Sequence, residues 1–152
     1  MNVLGVRCSN KDVSYAIISG SLAGPKIVQT DTVPFPEGFK HFQSLKWLLQ
    51  ESEDLISNFN IYRIALKRDE GWAKSAAFES RVEHEAAVTI AGANHGVQVI
   101  EKKVNSTISK DLGLKGRAHY LKTQLDTSRI PGFGNYSPQL RDAILAGWSG
   151  LN

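Results

Sequence analysis

Several absences constrain this 152-residue sequence before any motif does. There is one cysteine, Cys8, so no internal disulfide can form; this fits a reducing compartment and a small buried apolar side chain. No apolar run approaches the ~20 residues that a bilayer crossing requires, and no basic region followed by an apolar block opens the chain. The expected location is therefore cytoplasmic, with no membrane partner. No Cys-x-x-Cys occurs, and His41, His84, His95 and His119 lack ligand-like spacing, which argues against zinc; His84 and His95, eleven apart on one predicted helix, are expected to be solvent-exposed. There is no Gly-x-Gly-x-x-Gly, no Walker loop and no Gly-x-Ser-x-Gly, so nothing points to a dinucleotide, a P-loop nucleotide or a serine hydrolase.

What is present is ordinary for a folded chain. Hydrophobic residues make 41% and charged residues 22%, which excludes disorder and fibrous repeats. The length fits one domain, 1–152, with a sizeable core. Net charge is only +3, but it is unevenly spread. Lys102, Lys103, Lys110, Lys115, Arg117, Lys122 and Arg129 face only Asp111 and Asp126, so that stretch is net +5 and the rest net −2. Such asymmetry marks a candidate nucleic-acid-binding surface; the competing reading is a solvated lysine-rich face.

Hydrophobic periodicity predicts strands over residues 3–7, 12–19 and 26–33, the first two joined by Ser9-Asn10-Lys11 as a hairpin. Pro34-Phe35-Pro36 ends the third. From 39 to 57 the residues Phe42, Leu45, Leu48, Leu49, Leu55 and Ile56 recur at helical spacing opposite a charged face, with Trp47 at the core edge. Tyr62–Leu66 reads as a fourth strand. A second helix is expected over 74–94, with Phe78, Val82, Ala86, Ile90 and Ala93 along its apolar side and Gly96 as its stop. Residues 97–100 read as a fifth strand, and 106–112 and 117–125 as short helices separated by Gly113-Leu114-Lys115-Gly116. The stretch 126–136 reads as a mobile surface loop. Ser137-Pro138 then gives an N-cap and a first-turn proline for a last helix to about Trp148. The class is α/β: a five-stranded mixed sheet, three antiparallel strands extended by two parallel ones, flanked by helices.

The first strand, Val3-Leu4-Gly5-Val6-Arg7, ends abruptly in a charged residue. Ile64-Ala65-Leu66-Lys67-Arg68 ends the fourth in the same way. With the Ala-rich helix to Asn94, the segment Lys102-Lys103-Val104 to Gly116-Arg117-Ala118, and Gln139-Leu140-Arg141-Asp142-Ala143, the order and spacing resemble the RuvC-type Holliday-junction resolvases of the ribonuclease H-like fold. That resemblance implies a homodimer and two Mg²⁺ ions held by carboxylates at the strand exits and at the start of the last helix. The four positions it assigns carry Arg7, Lys67, Gln139 and Asp142: two cations, one amide and one acid.

The resemblance therefore implies a degenerate active site, a pseudo-nuclease with no catalytic residue assigned and no metal or other cofactor. Arg7 or Lys67 could pair with Asp142 as a plug, or the two cations could form an anion pocket. The leading expectation is a non-catalytic accessory or recognition protein that binds nucleic acid. Two alternatives stand beside it: an Mg²⁺-dependent nuclease rearranged around Asp12, Asp69 or Glu70 with Asp142, and a scaffold whose Ala-rich helix meets a protein partner. Trp72, Phe133 and Tyr136 are candidates for base stacking, or for local core plugs.

Overall fold

A computed structural model describes residues 1–71 and 76–151, so Trp72 and the predicted start of the second helix lie outside the described residues. Strands β1 (Asn2–Cys8), β2 (Asp12–Gly20), β3 (Pro25–Pro34), β4 (Ile61–Lys67) and β5 (Val99–Lys103) form one sheet in the order β3-β2-β1-β4-β5. β1 pairs antiparallel with β2, β2 antiparallel with β3, and β1–β4 and β4–β5 are parallel. Among the described residues no helix is long and apolar enough to cross a membrane.

Alternation along β1 separates two cores. Leu4, Val6 and Cys8 join Ile64, Leu66, Leu48, Val88 and Ala91 beneath helices α1 (His41–Asn58) and α2 (Ala76–Asn94). Val3 faces the other way, into a cluster with Ile18, Ile144 and Trp148 under the last helix. Cys8 is buried, and that burial pushes its thiol above the usual range, so it stays protonated and unreactive.

α1 and α2 each descend from the edge where β1, β3 and β4 end. Their alignment is parallel, because His41 pairs with Glu83 at 2.9 Å and Glu53 with His95 at 2.8 Å, both across 42 positions. The opposite layer holds α3 (Asn105–Asp111), α4 (Tyr120–Thr123) and α5 (Pro138–Ser149). Ser137 caps α5, its hydroxyl accepting from Leu140 N at 3.2 Å.

Several sequence expectations change. β5 begins two residues later than predicted and runs on through Lys103, because Val97 N bonds back to Gly92 O at 2.9 Å and keeps the chain in the helix-stop turn. Phe42 is 66% exposed; α1 buries Ser44, Leu48, Ser52 and Ile56 instead. α2 buries His84, Glu85, Ala87, Val88, Ala91 and Gly92, which turns the predicted apolar stripe of Val82 and Ile90 toward solvent. Residues 126–136 are a packed connection containing two single 3₁₀ turns, with Ile130 buried and Phe133 and Tyr136 resting against the same core. His84 is buried rather than exposed.

Candidate functional site

The parallel β1–β4 register pairs Val6 with Leu66, so the next residues, Arg7 and Lys67, emerge side by side at the strand exits. α5 is brought to that point by two glycines. A Cβ on Gly5 would run into Ala143 O and lie 2.6 Å from Gly147 N, so only glycine allows the helix to rest directly on β1. That close approach places Asp142, one turn into α5, beside Arg7.

Arg7 is a hub. Its Nη1 donates to Lys67 O at 3.2 Å, its Nη2 donates to Asp69 Oδ1 at 2.8 Å, and its Nε lies 3.7 Å from Asp142 Oδ2. The second oxygen of Asp69 is held by Arg81 of α2 at 2.9 Å. Lys67, buried, donates from Nζ to Arg68 O at 2.8 Å and to Glu70 Oε1 at 3.0 Å. That same Glu70 oxygen accepts from Asn105 N at 2.6 Å, at the start of α3. Beneath them Glu85 is buried, with Lys102 at 3.4 Å. Four cations and four carboxylates thus neutralise one another in a network linking β1, β4, β5, α2 and α5.

Burial pushes the Asp142 carboxyl up from its usual range, against the pull of Lys67 and Arg7. Burial also raises Glu85, with Lys102 opposing. In both, removal from water outweighs the neighbouring positive charge.

Of the predicted site residues, Arg7, Lys67, Asp69, Glu70 and Asp142 come together, and Gln139 sits half-buried on the first turn of α5 outside these contacts. Asp12 is apart, on the β1–β2 turn, where its carboxylate accepts from Ser9 Oγ. Sequence reasoning missed Arg81 and Glu85. Their spacing of four on one helix places both on the sheet-facing side, a signal hidden because the apolar stripe was assigned to the other face.

The predicted basic surface divides. Lys103 is only 2% exposed; its Nζ donates to Asp111 Oδ2 at 2.8 Å and to Ser149 Oγ and O at 3.1 and 3.2 Å. Lys102 is engaged by Glu85, and Arg129 lies 3.9 Å from Asp126. Lys110, Lys115, Arg117 and Lys122 are exposed, and among the described residues no carboxylate pairs with them.

No protein-family profile matches the chain, and no curated protein matches it. Solved structures do. Thermus thermophilus RuvC is 13% identical with a TM-score of 0.78, covering 98% of this chain and 92% of its own. The fold is that of RuvC. T. thermophilus RuvC in complex with Holliday junction substrate gives a TM-score of 0.75 at 12% identity, covering 98% and 91%. The yeast mitochondrial Holliday junction resolvase gives 0.62 at 15%, covering 98% and 77%.

The paired Mg²⁺ ions that the RuvC resemblance implies do not fit the residues present. Mg²⁺ takes oxygen ligands at about 2.0–2.1 Å in an octahedron. Arg7 and Lys67 bring cations to two of the four positions that the resemblance assigns, both oxygens of Asp69 are taken by guanidinium groups, and Glu70 is spent on Lys67 and the α3 amide. Among the described residues no three His, Cys, Asp or Glu side chains converge to hold a metal.

Proposed function

We propose that this protein binds nucleic acid on its RuvC fold without cutting it, as a recognition or accessory component. The observation that carries the reading is the division of its cations. Those at the strand exits are consumed by carboxylates, whereas Lys110, Lys115, Arg117 and Lys122 are left free on the α3–α4 layer. Unpaired cations on one face are what a phosphate backbone requires, and a neutralised cluster offers neither a cation cage nor an open anion pocket. The Holliday junction bound by T. thermophilus RuvC makes branched DNA the first ligand to try.

The test is fluorescence anisotropy on a four-way junction and on a duplex across a salt series. Four phosphate contacts predict that log K falls with log salt at a slope of about −3 to −4. Replacing Lys115 or Lys122 with alanine is expected to make the slope shallower by about one each, for any sequence. Undetectable binding at low salt would end the proposal.

A second reading, association through α2, is favoured by one observation. Val82 and Ile90 are 37% and 51% exposed on the face that also carries Ala86 and Ala93. Light scattering is expected to show a dimer that Ile90→Glu dissociates; a monomer at high concentration would remove this reading.

A further inference from the structure

We propose that a cleft at the hairpin end of the sheet is a second site, built to take an unpaired nucleobase and its phosphate. The proposal rests on the nucleic-acid reading above and extends it from phosphate contacts on α3–α4 to a base-binding pocket on the opposite layer. The cleft lies between the β1–β2 turn, the end of β3 and the first turns of α1 and α2, with a volume of about 460 Å³. That is within the range of small-ligand sites. Its walls include Asn10, Lys11, Phe35, Phe39, His41 and Ser44.

The aromatic wall is held in place before any ligand arrives. Phe35 stacks on His84 at 4.4 Å between ring centroids and meets Trp47 edge-on at 5.7 Å. His84 Nε2 is 3.0 Å from Ser44 Oγ, whose proton goes to His41 O at 2.6 Å, so the imidazole is fixed as well. Glu83 Oε2 holds His41 Nε2 at 2.9 Å, which fixes that ring at the rim. Phe39, by contrast, is 43% exposed and contributes to neither buried core. A half-exposed ring lining the same cleft as the fixed Phe35 and His41 is a stacking platform for a planar ligand.

The polar groups fit the rest of a nucleotide. Lys11 is exposed, and its ammonium has no partner among the described residues, which suits a phosphate. The exposed Asn10 amide supplies both a donor and an acceptor for a base edge. A base inside a duplex keeps both faces in the stack, so this wall suits an unpaired one. The cleft opens at the sheet edge where β1 and β4 also end.

A free mononucleotide offers the same chemistry, and the experiment separates the two. Anisotropy and 2-aminopurine fluorescence are measured on a blunt duplex, on the same duplex with a short single-stranded gap carrying 2-aminopurine, and on the free 2-aminopurine nucleotide. The proteins are wild type, Phe39→Ala, Lys11→Ala and, outside the cleft, Lys115→Ala. The expected result is gapped DNA bound about tenfold more tightly than blunt, the size of one stacked base, with quenching of the probe. Phe39→Ala should abolish both the preference and the quenching, with blunt-duplex affinity unchanged; Lys11→Ala should reduce the preference; Lys115→Ala should weaken both DNAs alike. Because Phe39 is exposed, its unfolding midpoint should match wild type.

Equal affinity for both DNAs without quenching overturns the cleft while duplex binding stands. Quenching of the free nucleotide without a gap preference overturns the strand-embedded ligand. No binding to any DNA overturns the nucleic-acid reading and this one with it.

Discussion

Arg7 leaves the end of β1 as the centre of the cluster: its guanidinium satisfies Asp69, touches Asp142 and anchors the Lys67 carbonyl. Removing one partner of a largely buried ion pair leaves the other charge exposed to its desolvation cost. Because Asp69 retains Arg81, Arg7→Leu is expected to cost about 2 kcal/mol in urea unfolding, below the about 3–5 kcal/mol of breaking a fully buried pair. A change within about 0.5 kcal/mol, the size of ordinary surface substitutions, would contradict the hub role.

His84 gives a second residue-scale prediction. Burial lowers its pKa below the ordinary 6.5, with His41 adding to the effect. The unfolded chain therefore binds the proton first. Stability is fully present above pH 6.5 and is lost as pH falls through the window below it, by up to ~1.4 kcal/mol per pH unit. His84→Gln should flatten that part of the profile; an unchanged slope would locate the titration elsewhere. The identities at Arg7, Lys67 and Asp142 were legible in the sequence, because strand exits and a capped helix fixed their places. Arg81, Glu85 and the burial of Lys103 were not, since nothing local tells which side of a helix or strand a charge will face when its partner is distant in the chain.

At the scale of elements, the decisive packing is α5 on β1. Gly5 was visible only as a member of an apolar strand, yet the missing side chain sets how near Asp142 comes to Arg7. Gly5→Ala is expected to destabilise by about 3 kcal/mol, because the clash is with helix backbone and cannot be relieved by a rotamer change. If the variant unfolds at the wild-type urea midpoint, the close approach is not as described. Strands β1 to β4, both ends of α1 and α5 and the C-terminal end of α2 were readable from periodicity and stop signals. The buried face of α2 was not, because the apolar stripe of Val82 and Ile90 points outward while polar His84 and Glu85 point in. Tertiary pairing with Ser44 and Lys102 overrode the local pattern.

Over the whole molecule, a RuvC fold carries its charges in two separate groups. The cluster at the strand exits is internally balanced, and the free cations lie on α3–α4. If that partition is the basis of function, divalent ions matter only as screening salt. The most direct measurement follows a labelled four-way junction with the protein in the presence of Mg²⁺, Mn²⁺ or a chelator, reading affinity and strand cleavage from the same samples at matched ionic strength. The account predicts equal affinity in all three and intact strands throughout. Metal-dependent cleavage that Asp142→Asn abolishes would contradict it.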